Sequence, residues 1–235
     1  MQGYRKTYKK REIDSSTTRH FKHRSEKYAK VICYTFLTFL NLNLYSQNTN
    51  QKKWNSNDLD FIFLKLDFTS QITINESKSN EIYVNYKQEG EFKEKVILKS
   101  NIDNRELNIL EIVSPTVKKH NDKLSVHKTF ANTIEVKVPI NFRTIVDTRS
   151  CNIKIMSSFS DINIKIDEGK INLNQMKIKG EIKSISANVF CVNPMSKLLV
   201  SSKNGVVSGL YNTSGTPNLR IETIRGDVSE ECFIN

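Results

Sequence analysis

A short unit recurs through the second half of the chain and restricts how that half can fold. The unit is a Gly or Ser, a variable residue, and then an Ile or Val, and its copies begin at Ser160, Gly169, Gly180, Gly205 and Gly226. From Ser160 through Gly180 and Gly205 to Gly226, the spacings are 20, 25 and 21 residues. A fixed period of about 20 residues is typical of a solenoid, in which each coil buries its apolar face against its neighbours.

The last two copies are alike over a longer stretch. The run from Leu198 to Ser208 matches the run from Leu219 to Ser229 at six positions, each pair 21 residues apart. Two coils of equal design would produce this similarity. We therefore predict a β-solenoid of roughly 20-residue coils, with a β-sandwich as the alternative because regularly spaced short strands suit both folds.

Alternation of apolar and polar residues predicts strands in the first half as well, so the predicted fold class is all-β. These strands include Ile62 to Phe68, Ile72 to Ile74, Glu81 to Lys87, Val96 to Ser100, Leu107 to Val113, Lys123 to His127 and Thr133 to Val138. No long helical period occurs in the body. We expect a flexible linker at 47–58, an irregular β segment at 59–139 that caps the coils, and the repeat region at 140–235.

The same alternation predicts which side chains of the second half form the core. The residues expected to point inward are Cys151, Ile153, Ile155, Ile162, Ile164, Ile166, Ile171, Leu173, Ile185, Ala187, Val189 and Cys191. The Asn and Lys residues between them are expected to face water. The alternation changes phase between Ile182 and Ile185, which we attribute to a corner or bulge near Ser184.

Residues 1–46 differ from the body in charge and in apolar character. They hold ten Lys or Arg against three acidic residues, out of a formal charge of +11 for the chain. An apolar run, Val31 to Leu44, follows the basic flank and ends at Tyr45-Ser46-Gln47. This order is typical of a secretory signal peptide, so we predict export with cleavage after Ser46. An uncleaved segment that contacts the membrane is the alternative. Since the remaining body is only mildly basic, no nucleic-acid partner is expected.

The order of these features resembles the bacterial "putative adhesin" families of β-strand repeat proteins, long known as domains of unknown function. Val136-Lys137-Val138-Pro139 corresponds to the strand before the repeats, and Leu198–Val207 and Leu219–Val228 correspond to the repeat units. The ending Leu44-Tyr45-Ser46-Gln47 is similar to those of secreted Bacteroidetes proteins. The resemblance covers about residues 58–229. It implies an exported, solenoid-like domain. We predict adhesin-like binding at the cell envelope, with the protein located in the periplasm, at the outer cell surface or outside the cell.

The sequence carries no recognisable catalytic motif. It has no Gly-x-Ser-x-Gly, His-Glu-x-x-His or Cys-x-x-Cys, and the body holds two histidines, His120 and His127. Asp161, Asp167 and Glu168 lack the spacing of calcium-binding β-roll repeats, so we interpret them as solvated turn carboxylates. We predict a protein that is not an enzyme and needs no cofactor or metal. A polysaccharide-active β-helix enzyme is a less favoured alternative, because no pair of catalytic carboxylates can be identified.

Five outward-facing lysines form the candidate ligand-binding surface: Lys154, Lys165, Lys177, Lys179 and Lys183. A row of ammonium groups would suit an acidic glycan, although such charges more often keep a strand surface soluble. We therefore predict a non-enzymatic domain that binds an acidic glycan or an envelope protein. The alternative is a structural or assembly-partner domain of an envelope complex. The oligomeric state is not predicted by the sequence.

Three cysteines follow the predicted cleavage point: Cys151, Cys191 and Cys232. They are 40 and 41 residues apart, which corresponds to about two coils in each case. At ~4.8 Å per coil, two coils separate Cα atoms by roughly 9.6 Å, more than the ~7 Å that a disulfide spans. We predict buried, free thiols.

Overall fold

A computed structural model of the 235-residue chain describes residues 48–89, 95–115, 131–174, 177–192, 195–209 and 218–231. The predicted signal segment, the predicted strand at 123–127, both body histidines and Cys232 lie outside the described residues. Within those ranges the chain forms fifteen strands and a short 3-10 turn, Ser56–Asp58, without an α-helix. The all-β prediction is confirmed. No described element is a helix of the length and apolarity needed to cross a membrane.

Most strands follow the period-two alternation, which buries one face of the strand and leaves the other in water; the short β13 is exposed on both faces. They are β1 (Asn48–Asn55), β2 (Phe61–Leu66), β3 (Thr69–Glu76), β4 (Glu81–Gln88), β5 (Val96–Asp103), β6 (Glu106–Val113), β7 (Asn132–Val138), β8 (Arg143–Ile155), β9 (Phe159–Asn174), β10 (Ile178–Ser184), β11 (Asn188–Val192), β12 (Leu198–Ser202), β13 (Val207–Ser208), β14 (Leu219–Thr223) and β15 (Val228–Glu231). All fifteen belong to one open, mixed sheet.

Two rows of parallel strands run through this sheet, and the long strands β8 and β9 take part in both. In the first ladder, β2, the start of β8, the start of β9, β10, β14 and β12 pair in that order. In the second ladder, the order is β3, the end of β8, the end of β9, β11, β15 and β13. The antiparallel pairs of the described chain, β1–β4, β4–β7 and β5–β6, lie beyond β2 and β3.

Strands β14 and β15 come last in the chain but do not lie at the edge of the described sheet; β12 and β13, which precede them, do. Strand β14 lies between β10 and β12, and β15 lies between β11 and β13. The two runs that are alike in sequence are therefore direct neighbours, with Leu198 opposite Leu219 and Val200 opposite Ile221. Because the two runs share the same pattern of apolar residues, the inward-facing side chains of one lie next to those of the other.

One hydrophobic core unites both halves of the described chain. It includes Ile62 and Leu107 from the first half and Ile164 and Ile171 from the second. Ile164 is 2% exposed and Ile171 is fully buried, which confirms the predicted inward face of β9. Strands β2 and β3 pair directly with β8, so hydrogen-bonded pairing continues across the predicted boundary at 139–140.

The inward position predicted for Ile185 is wrong, because this side chain is 40% exposed. The predicted corner does occur here. Ser184 is the inward residue at the corner, and its hydroxyl donates to the carbonyl oxygen of Ala187 at 3.2 Å. Two residues then turn outward before Ala187 returns to the core, so Ile185 is exposed.

Residues 47–58, predicted as a flexible linker, instead contain β1. This strand pairs antiparallel with β4 from Asn48 opposite Gln88 to Asn55 opposite Glu81. Its polar composition does not prevent this, because a strand with one neighbour can keep most of its side chains in water. Trp54 packs against the core and holds the strand to the sheet.

The corners explain why Ser202 and Thr223 stand three residues before Gly205 and Gly226 in the last two repeats. The Gly226 N–H donates to Thr223 Oγ1 and the Gly205 N–H to Ser202 Oγ, both at 2.9 Å. The Ser202 hydroxyl in turn donates to the carbonyl oxygen of Gly226, in the neighbouring corner. The hydroxyl thus accepts the glycine N–H of its own corner, and the Ser202 hydroxyl also links its corner to the neighbouring one.

Gly180 shows a second reason for the recurring glycines. Its φ angle is +140°, which L-residues rarely adopt. A methyl group at this position would overlap the carbonyl oxygen of Ile162 on β9. Only glycine allows the two backbones to come this close.

Candidate functional site

The five predicted lysines do not form one row. Lys165 and Lys183 are register partners on the outer face of the first ladder. Lys154 lies on the second ladder, between Thr73 and Asn172. Lys177 and Lys179 lie at the start of β10, where the chain forms a depression. The structure therefore divides the predicted surface into three places.

Carboxylates lie next to both Lys165 and Lys183, and one of them pairs with Lys183. The Lys183 ammonium contacts Glu181 at 2.8 Å, and this hydrogen bond raises the pKa of Lys183. Asp147 is the register partner of Lys165 and pairs with Lys65 at 3.1 Å. Alternating signs of this kind hold a solvated strand surface together and leave little positive field for an anion.

A cleft of about 220 Å³ lies at the start of β10. We call it the basic cleft, and its lining residues are Ile140, Asn141, Ser158, Phe159, Ser160, Lys177 and Lys179. Both lysines are exposed, and the residue between them, Ile178, is buried. Because the side chains of a strand alternate, the two ammonium groups project from the same face.

Hydrogen bonds between main-chain groups and to two serine hydroxyls fix the walls of the basic cleft. The Ser160 N–H donates to the carbonyl oxygen of Ile140 at 3.1 Å, and the Ser160 hydroxyl donates to the same oxygen. The Lys177 N–H donates to Ser158 Oγ at 3.1 Å, and the Phe159 N–H donates to the carbonyl oxygen of Lys177. Phe159 is 1% exposed and anchors the strand beneath the cleft.

The basic cleft keeps its positive charge. In the part of the chain that the structure describes, no ion pair neutralises Lys177 or Lys179. Asp161 is engaged elsewhere, since it pairs with Arg143 at 3.5 Å and accepts a hydrogen bond from Asn163 at 2.9 Å. The cleft therefore offers two cationic donors, two serine hydroxyls and an apolar wall.

The three carboxylates considered in the sequence are not gathered into a metal site. Asp161 is bound as just described, and the main-chain oxygen of Asp167 accepts from Ser186 at the corner between β10 and β11. Among the described residues, no group of three His, Cys, Asp or Glu side chains is placed to hold a metal ion.

Sequence inspection missed a buried carboxylate, Glu111, which is 7% exposed. The Phe68 N–H donates to its Oε2 at 2.6 Å, and the Thr69 and Tyr86 hydroxyls both donate to Oε1 at 2.7 Å. The alternation of Leu107, Ile109 and Glu111 places all three inward, which is the signal that could have revealed it. The carboxylate binds β6 to the corner between β2 and β3, and to β4.

The predicted thiols are buried and free at Cys151 and Cys191. They lie on β8 and β11, with β9 between them. Burial raises the pKa of each thiol to about 12, because a thiolate would be poorly solvated there. These cysteines are therefore core residues and not nucleophiles.

Comparison with solved structures finds bacterial proteins described as adhesins or as a cell adhesion protein. A "putative cell adhesion protein" from Clostridium sporogenes is 14% identical, with a TM-score of 0.53 over 80% of this chain and 100% of that one. A "putative adhesin" from Bacteroides fragilis is 11% identical, with a TM-score of 0.35 over 79% and 97%. One from Parabacteroides merdae is 10% identical, with a TM-score of 0.37 over 78% and 79%.

Neither a protein-family model nor a curated protein sequence matches this chain. At 14% identity, the similarity to the Clostridium sporogenes protein shows a shared fold and nothing more. The class that fold and site define together is an all-β protein with parallel strand ladders and a small basic cleft.

Proposed function

We propose that this chain is an exported, non-enzymatic binding domain of the adhesin-like kind, located in the periplasm, at the outer cell surface or outside the cell. The basic flank and apolar run of residues 1–46 support export. The fold shared with a protein described as a cell adhesion protein supports adhesin-like binding. The relation to the "putative adhesin" families is part of the same proposal.

The fold-level part of this proposal is that the two ladders are the faces of a short β-solenoid. Strands β8 and β9 each supply their first segment to the first ladder and their last segment to the second ladder, as a solenoid coil would. The corner hydrogen bonds from Ser202 to Gly226 and between Ser184 and Thr223 pass from one coil to the next. The antiparallel strands β1, β4 and β5 would then close one end, which solenoids need to avoid edge pairing.

The ligand we propose is an acidic glycan, bound through one carboxylate- or sulfate-bearing sugar unit in the basic cleft. The observation that carries this is the pair of unneutralised lysines, Lys177 and Lys179, beside the hydroxyls of Ser158 and Ser160. Ammonium groups bind an anionic substituent, while hydroxyls and an apolar wall suit the ring of a sugar. A volume of about 220 Å³ is small for a ligand site, so we propose that the cleft itself holds a single unit.

Calorimetric titration with uronic-acid oligosaccharides, preceded by a glycan array, tests this proposal. The double variant Lys177→Glu, Lys179→Glu should lose binding, because it replaces two attractive charges by two repulsive ones. Lys154→Glu is the matched control, since this lysine is also exposed but lies on the second ladder. Equal loss in the control would mean that only net charge matters. Absence of binding to any acidic glycan would contradict the proposed ligand.

A further inference from the structure

The end of the sheet formed by β12 and β13 has no neighbour in the described chain. Strand β12 pairs only with β14, and β13 only with β15, among the residues described. The hydrogen bonds of β12 show which of its backbone groups are in use. The carbonyl oxygen of Lys197 accepts from Asn218, and the Lys203 N–H donates to Thr223.

These two bonds fix the direction of the other backbone groups of β12. In a parallel strand, the N–H and C=O of successive residues point alternately to the two sides. Lys197 and Lys203 point towards β14, so the groups of Leu198, Val200 and Ser202 point towards the open side. The edge therefore presents a regular row of donors and acceptors to an incoming strand.

The side chains of this edge do not protect it. Natural edge strands commonly carry lysines or other charges that block pairing. The opposite terminal strands fit that rule, with Lys53 on β1 and Lys99 on β5. Strands β12 and β13 contain no charged residue. Leu199 is 44%, Val206 65% and Val207 38% exposed there.

The charges beside the edge indicate what kind of strand it accepts. Lys197 and Lys203 flank β12, and residues 195–209 contain no Asp or Glu. If a second copy paired antiparallel about Val200, its Lys203 would face Lys197 of the first copy. Repulsion at both ends disfavours that arrangement, whereas carboxylates at the ends of an incoming strand would be attracted.

We propose that the edge of β12 and β13 binds an extended segment of a partner protein, with aliphatic residues at alternate positions and acidic residues at its ends. This is strand addition to a sheet edge, in which backbone hydrogen bonds supply affinity and alternate side chains supply specificity. The run Leu219–Glu231 shows the pattern that fits, because Leu219 and Ile221 already continue the row of Leu198 and Val200. The inference is independent of the basic cleft.

The probe is a synthetic peptide that copies residues 219–231 with Arg220→Glu and Arg225→Glu. Fluorescence anisotropy against the full chain should show saturable binding that weakens with added salt. A peptide of the same composition in scrambled order should not bind, because charge alone does not set the strand register. If both peptides bind equally, or neither binds, the proposal is wrong.

Variants of the full chain locate the binding. Lys197→Gln with Lys203→Gln should weaken peptide binding by about threefold to tenfold, as expected for two exposed ion pairs. Lys99→Gln, on the terminal strand β5 of the other end, should leave the affinity unchanged. Equal weakening in the Lys99 variant overturns the assignment. So does concentration-dependent dimerisation, measured by sedimentation, that Leu199→Lys removes, because the edge would then belong to a second copy.

Discussion

Replacing Glu111 by Ala should be among the most destabilising single changes in the described chain. The side chain is 7% exposed and accepts three hydrogen bonds, from Phe68 N–H and the hydroxyls of Thr69 and Tyr86. Hydrogen bonds to a charged group contribute about 1.5–3 kcal/mol each, and the cost of burying the carboxylate offsets part of the total. We expect a loss of about 3–5 kcal/mol, because the substitution leaves three donors without an acceptor.

Urea unfolding followed by circular dichroism measures this loss. With an m-value of about 2 kcal/mol/M for a domain of this size, the midpoint should fall by about 1.5–2.5 M. Glu111→Gln keeps one acceptor but brings an amide N–H₂ against the remaining donors, so its effect should be intermediate. The far-ultraviolet spectrum before unfolding shows whether each variant still folds.

Glu222→Ala is the control for the Glu111 variant. Glu222 is 43% exposed and pairs with Arg220 at 3.5 Å, so removing it should change the free energy of unfolding by less than about 1 kcal/mol. A loss below about 1 kcal/mol for Glu111→Ala, or an equal loss for both variants, would refute the reasoning that the three hydrogen bonds secure the corner.

Three further predictions follow from the core and the corners. Gly180→Ala should cost about 2–4 kcal/mol of unfolding free energy, measured in urea, because the φ of +140° and the Ile162 carbonyl oxygen exclude a methyl group. Neither Cys151 nor Cys191 should react with a thiol reagent at pH 8 until the protein is unfolded, since burial raises both pKa values to about 12. Above pH 9 the unfolded thiol ionises while the folded thiol does not. Stability should therefore fall as the pH rises from 9 towards 12, by about 1.4 kcal/mol per pH unit per thiol, and Cys191→Ala should show a smaller slope.

Much of the strand pattern could be predicted from the sequence, because alternation reports directly which face is buried. Ile164, Ile171 and Val189 lie in the core as predicted. The pattern failed for Ile185, since the number of residues in a corner depends on how successive corners stack and not on hydrophobicity. Strand β1 was missed because its partner, β4, supplies the order that its own polar residues do not predict.

The exchanged order of the last strand pairs could not be predicted at all. Leu198 and Leu219 begin runs with the same inward pattern, so either run satisfies the same neighbours. Only the complete set of long-range pairings distinguishes the two arrangements. The basic cleft is a similar case. Lys177 and Lys179 were predicted as outward-facing residues, but their separation from Lys154 arises because β8 passes from the first ladder to the second along its length, which the sequence pattern does not report.

That exchanged order changes how the carboxy-terminal strands can come loose. If the strands followed chain order in the sheet, the last strand of each ladder would have one neighbour and could dissociate by itself. Here residues 219–231 have partners on both sides. Their release requires β14 to separate from both β10 and β12, and β15 from both β11 and β13. Proteolytic removal of residues 219–231 would therefore not simply shorten each ladder by its last strand. It would open a gap of one strand width in the interior and leave residues 198–208 detached from β10 and β11.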